Sequence, residues 1–177
     1  MEKAKEAAMI YVVMYLIAIV AANLLVTQFG PGIAVFNAFL FIGLDLTSRD
    51  YLHEAWHHRG LVWKMALLIG AGSALSYVLN RASGQIAIAS FAAFACAGIA
   101  DAVVYHLLGD KAKMLKVNGS NVVSAAVDSV IFPALAFGFP LLWGVMLGQF
   151  VAKVGGGFVW SLALHKFSKS RPHNQNS

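Results

Sequence analysis

Five stretches of the chain carry almost nothing but apolar side chains. Residues 9–26, 61–79, 86–100, 122–138 and 141–151 each hold at most one charged residue. About 20 consecutive apolar residues cross the hydrocarbon core of a bilayer, so the pattern predicts membrane-spanning helices. Adding a shorter apolar run after residue 32 gives six, over residues 8–29, 33–57, 61–80, 85–109, 119–138 and 140–166. Gly30-Pro31-Gly32 breaks the first from the second. Residues 81–84 separate the third from the fourth, residues 111–118 the fourth from the fifth, and Phe139-Pro140 the fifth from the sixth. The second helix is the least regular. Its apolar part is short, and Asp45, Arg49, Asp50 and Glu54 follow with no breaker, as in a helix that leaves the membrane or re-enters it.

Composition agrees. Of 177 residues, 59% are hydrophobic and 12% charged, against about 25% charge in an average soluble domain, and the mean hydropathy is +0.71. The expected fold class is an all-α integral membrane protein with six transmembrane helices. Residues 1–166 form a single polytopic domain, and residues 167–177 form a short, polar, disordered tail. Lys3 and Lys5 precede an apolar run longer than a signal-peptide core, which reads as a first transmembrane helix and not a cleaved leader. The one cysteine, Cys96, excludes a disulfide framework and a cysteine-based metal site.

The net charge of +5 is explained by topology and not by nucleic acid. With a cytoplasmic N-terminus, six helices place Lys3, Lys5, Arg49, Arg59, Lys64, Lys111, Lys113, Lys116, Lys166, Lys169 and Arg171 inside. Arg81 alone falls outside, and Lys153 lies within the sixth helix. Positive residues concentrate on the cytoplasmic side of membrane proteins, so both termini are expected there, in a multi-pass protein of the cytoplasmic (inner) membrane.

Asp101, Asp128 and Lys153 then fall inside apolar helices. A carboxylate there costs on the order of 3 kcal/mol and normally faces a cavity or a partner. Asn121 and Ser124 share a helical face with Asp128, and Ser90 lies three turns before Asp101 on its side. One reading is an Asp128–Lys153 ion pair that only fixes helix packing. The other, favoured by the cluster of acids and amides around a single internal base, is a polar cavity for a hydrophilic solute. "ADAVVYHLLG" (100–109) and "VDSVIFPALAFG" (127–138) echo one another around their acids, as internal repeats do in transporters. Gly144, Gly148 and Gly155 to Gly157 are close-packing positions, and a homodimer contact is one use for them.

His53-Glu54-Ala55-Trp56-His57 matches the H-E-x-x-H pattern of zinc hydrolases, two imidazoles one turn apart around a glutamate base. In that alternative, Asp101 or Asp128 supplies a third ligand to an intramembrane metalloprotease. The motif falls at a cytoplasmic end, close to Arg59 and Lys64, and no second protease motif accompanies it. The simpler account is an interfacial helix, with His53, His57 and His58 among headgroups beside Trp56 and Trp63. A non-catalytic structural subunit is a third class, and the midplane charges argue against it.

Several segments resemble the queuosine precursor (7-deazaguanine) transporters, also called the vitamin uptake-like family. "AANLLVTQFG" carries Asn23, and "RDYLHEAWHHRG" carries Asp50 and Glu54 in a D-x-x-x-E arrangement. "IAIASFAAFACAGIADAVVYHLL" carries Ser90 and Asp101, "NGSNVVSAAVDSVIF" carries Asn118, Ser120 and Asp128, and "FVAKVGGGFVW" carries Lys153. The resemblance implies a non-enzymatic importer of a small planar polar solute, with no cofactor. It implies that Asn23, Asp50, Glu54, Gln85, Ser90, Asp101, Asn118, Ser124, Asp128 and Lys153 bind that solute. It also accounts for Asp50 and Glu54 without zinc. The chain departs from the family pattern at Gly98 and Ala125, where an amide is usual, and at Gln85 and Val117, where an arginine is common. A guanine-like ring offers N–H groups to a carboxylate and a flat face to Tyr105, Phe132 or Trp143. No P-loop is present, so this chain does not hydrolyse ATP.

Overall fold

The computed structural model describes residues 2–41, 61–108 and 113–169. Among them are six α-helices and one 3-10 turn, with no strand. They are α1 (Glu2–Phe29), α2 (Pro31–Phe41), α3 (Leu61–Leu79), α4 (Gly84–Leu107), α5 (Lys113–Phe137) and α6 (Trp143–Lys169). Met9–Phe29, Arg81–Val104 and Gly119–Phe137 are long and apolar enough to cross a membrane, while Pro31–Phe41 and Trp63–Leu79 are shorter.

Helix ends follow local chemistry. Gly30 (φ 75°) closes α1, its N–H bonding the Val26 carbonyl, and Pro31 opens α2, a position where a missing N–H and a fixed φ are no handicap. Gly138 (φ 71°) closes α5 in the same way, its N–H on Ala134. Between α3 and α4, Asn80 accepts from the Ala82 N–H and Ser83 Oγ donates to the Asn80 carbonyl.

Three sequence-based boundaries are corrected. Helix α1 begins at Glu2, not residue 8, because Glu2, Lys3, Ala4, Lys5, Glu6 and Ala7 are all strong helix formers. Residues 113–118, expected in a connection, form the first turns of α5 for the same reason, Lys113, Met114, Leu115 and Lys116 outweighing Asn118 and Gly119. Helix α6 starts at Trp143 instead of 140, since residues 140–142 are spent on a turn after Pro140, with Val145 N–H bonding Leu142. For the second helix, α2 is described to Phe41, and the rest of the expected 33–57 span lies outside the described residues.

The distribution of side chains is that of a membrane protein. Large apolar residues point outward, among them Ile17, Trp63, Leu67, Ile88, Leu107 and Phe158. The interior mixes small and polar residues, among them Ala34, Ala89, Ala93, Asn23, Ser76 and Gln149, with a larger apolar cluster of Tyr15, Met65, Leu68 and Ile69 between α1 and α3. In lipid, burying a leucine against another helix gains little, so close backbone approach and interhelical hydrogen bonds hold the bundle together. Gly72 on α3 faces Ile19 on α1 so closely that a Cβ there would stand 2.8 Å from its Cγ2. Gly148 on α6 faces Val35 on α2 at 3.0 Å. Among the described residues, no neighbour lies within 4 Å of a Cβ placed on Gly144 or Gly155.

Candidate functional site

Helices α1 and α2 form an antiparallel hairpin, fixed where Asn37 Nδ2 donates to the Ala22 carbonyl at 3.1 Å. Helices α4 and α5 form another. Gln85 meets Leu135 at one end of it and Leu108 meets Gly119 at the other. Helix α6 returns along both α5 and α2, and a cavity of about 140 Å³ opens between the elements. Its polar lining is Asn23, Asn37, Ser90, Asp128, Gln149 and Lys153, with Phe132 and Phe41 among the apolar wall residues.

Asp128 is the central residue of the Gly119–Phe137 span, nine positions from either end. It therefore stands at the middle of that apolar span, about 14 Å from each end at 1.5 Å per residue. Lys153 on α6 makes a salt bridge to its Oδ2, the ion pair foreseen by the packing reading of the sequence. Both side chains keep some exposure, 15% for Lys153 and 26% for Asp128.

The amides around the pair are almost completely buried. Asn23 is 3% exposed, Asn37 5% and Gln149 2%. Asn23 is committed to helix packing: its Nδ2 donates to Ser76 Oγ on α3 at 3.2 Å, and Ser76 Oγ donates to the Gly72 carbonyl. Asn37 Oδ1 and Gln149 Nε2, by contrast, have no hydrogen-bond partner among the described residues. Buried polar atoms are nearly always paired in native proteins, and Ser73 Oγ, Ser129 Oγ and one Asp101 oxygen share this condition among the described residues.

Of the ten residues expected to bind solute, the structure gathers Asn23, Ser90, Asp128 and Lys153 around this cavity. Gln85 lies outside it. Its Nε2 donates to the Leu135 carbonyl at 3.2 Å, satisfying one of the carbonyls that the end of α5 leaves without a helical donor. Asp101 lies 11 residues beyond Ser90 on α4, about 16 Å further along the helix axis. One of its carboxylate oxygens is buried without a partner among the described residues. Ser124 is half-buried on α5 and does not line the cavity, and Asn121 is exposed. Asn118 falls within α5, with its side chain outside the described residues, as is that of Tyr105 on α4. Asp50 and Glu54, and with them His53 and His57, also lie outside the described residues. Phe132 lines the cavity, while Trp143 is exposed.

Asn37 and Gln149 were not anticipated. Each was readable as a lone amide within an apolar run, "VFNAFLF" and "MLGQFVAK", and Gln149 precedes Lys153 by four residues, on the same face of the helix. Attention to charge alone passed over them.

No curated protein and no solved structure gives a significant match to the chain. The family model described as "Putative vitamin uptake transporter" matches residues 2–164, which takes in all six helices except the end of α6. With a polar cavity inside an all-α bundle, and a family match over nearly its whole length, the chain belongs to the vitamin uptake transporter family.

Proposed function

We propose that this protein imports a small, planar, polar solute through the cavity around Asp128, and that the solute is a 7-deazaguanine precursor of queuosine. The observation that carries the reading is an ion pair at the middle of an apolar span, Asp128 with Lys153, on a cavity also lined by Phe132 and three buried amides. A packing-only ion pair is most stable when sealed and fully hydrogen-bonded. One that keeps some exposure beside a cavity suits a site that exchanges partners.

The chemistry fits a guanine-like ring. In the empty protein, Lys153 neutralises Asp128. An incoming ring offers the carboxylate N–H groups in the plane of the ring, and charge-assisted hydrogen bonds of this kind are worth about 1.5–3 kcal/mol when water is excluded. Phe132 can stack on the flat face. The cavity holds on the order of ten waters at roughly 10–15 Å³ each, so it suits a compact solute.

The bias of Lys and Arg towards one side supports a protein of the cytoplasmic membrane with both termini in the cytoplasm. Nothing in the chain is suited to ATP hydrolysis, so uptake is facilitated or coupled to an ion gradient. Asp101, apart from the cavity, and Asp50 and Glu54 belong to the path on the cytoplasmic side.

The test is uptake of radiolabelled precursor, read as tRNA modification, in cells unable to make it. Expression of the wild type should restore uptake, and Asp128→Asn should abolish it at equal protein level. Uptake that persists undiminished in Asp128→Asn would sink this assignment. Stoichiometric zinc in the purified protein, lost on His57→Ala, would favour the hydrolase reading instead.

A further inference from the structure

The charges on the cavity wall cancel. Among the described residues that line it, Asn23, Asn37, Ser90 and Gln149 are uncharged, and Asp128 and Lys153 are opposite in sign and salt-bridged. The acid stands at the middle of its apolar span on α5, and the base comes from a different helix, α6. Asp101 does not disturb this balance. It lies three residues from the end of the Arg81–Val104 span, only about 5 Å inside it.

A lone carboxylate at the depth of Asp128 would need a cation whenever the site changes the side it faces. An unpaired charge is costly in hydrocarbon, and it also feels the membrane potential. Moving one full charge through 100 mV shifts an equilibrium about fiftyfold. An ion-coupled carrier answers both demands with a cation from solution, which neutralises the site and drives accumulation. Here a neutralising cation is part of the chain. With an uncharged solute, the pair adds no net charge to the site, loaded or empty.

We propose that Lys153 is a built-in counter-ion that takes the place of a coupling cation, so that uptake through this cavity is electroneutral facilitated diffusion of an uncharged solute. The proposal rests on the transport reading above and selects facilitated uptake over uptake driven by an ion gradient. The direction of flow then follows the solute alone. Net import in the cell depends on a reaction that consumes the solute inside.

The experiment uses the full chain in proteoliposomes with radiolabelled 7-deazaguanine, a neutral probe, against protein-free liposomes. It reads the ratio of internal to external probe at steady state. For the wild type this ratio should settle at about one, with or without an interior-negative potential of about 100 mV, and with or without an inward sodium or proton gradient. One coupled cation would instead raise it to about fifty under the potential alone. Lys153→Met removes the internal cation. Its uptake without a gradient should fall about tenfold or more, and an inward proton gradient should restore uptake with a ratio above one. A monodisperse gel-filtration profile separates this loss from misfolding, and the wild-type ratio is decisive even where the variant does not fold. A wild-type ratio well above one under any of these gradients overturns the proposal and leaves transport standing. So does a folded Lys153→Met that transports as the wild type does, or that no cation gradient revives. If the wild type takes up the probe no faster than protein-free liposomes, the transport reading falls, and this proposal with it.

Discussion

Lys153 on α6 reaches across the cavity to the carboxylate of Asp128 on α5, joining the two helices at the middle of an apolar span. Neither residue can be removed alone without leaving the other charged in the bilayer. Lys153→Met should therefore lower stability by about 3 kcal/mol, the lower end for breaking a buried pair, because both groups retain some exposure. The double variant Asp128→Asn/Lys153→Met should recover most of that loss while remaining inactive in uptake. Thermal unfolding in detergent measures the first effect. A double variant no more stable than Lys153→Met alone would show that the pair is not what couples these helices.

Asn23 and Ser76 form the polar link between α1 and α3. Ser76 is fully buried, so Ser76→Ala leaves the Asn23 amide without its acceptor. Interhelical hydrogen bonds in membranes are worth about 0.6 kcal/mol on average and up to about 1.7. A double-mutant cycle with Asn23→Ala should return a coupling in that range, and zero coupling would argue that the contact carries no stability.

Gly72→Ala tests the closest helix approach. The added methyl would stand 2.8 Å from Ile19 Cγ2 and 3.1 Å from Ile19 Cβ. Overpacking of this kind costs about 1–3 kcal/mol. Ile19→Ala in the same chain removes the Cγ2 and Cδ1 contacts and should restore much of the loss, read again by thermal unfolding.

Orientation can be read with thiol labelling, after Cys96→Ser removes the single native cysteine. A cysteine placed at Ala82, exposed in the turn before α4, should react with an impermeant maleimide in intact cells. One placed at Ser168, near the end of α6, should react only after lysis. The reverse pattern would invert the topology argued from the charge bias.

Much of the bundle was legible because spanning helices announce themselves by length and apolarity, and breaks by Gly30-Pro31 and Phe139-Pro140. The errors fell where a helix continues beyond the apolar run. Residues 2–7 and 113–118 are broken up by charges, so hydropathy assigned them outside, while their propensity for helix carried α1 and α5 through. The site was legible in its charges, since an Asp and a Lys inside apolar helices seek each other. Its amides were harder. A lone Asn in lipid serves equally well as interhelical glue or as a ligand group, and sequence does not distinguish Asn23, spent on Ser76, from Asn37, whose nitrogen is spent on the Ala22 carbonyl. Gln85 shows the converse: polar and well placed in sequence, it serves as a cap for the end of α5.

Helix α5 also carries Pro133, fully buried one turn beyond Ser129 and five residues past Asp128. A proline nitrogen has no hydrogen to donate, so the rung of the helical ladder that would join it to the Ser129 carbonyl does not form. Kinks in long helices concentrate at such points. The two halves of α5 can thus change their mutual angle at a joint adjoining the carboxylate, with no further backbone bond to break. A small swing there alters the reach between Asp128 and Lys153, so the joint is placed to act as a lever on the grip between α5 and α6.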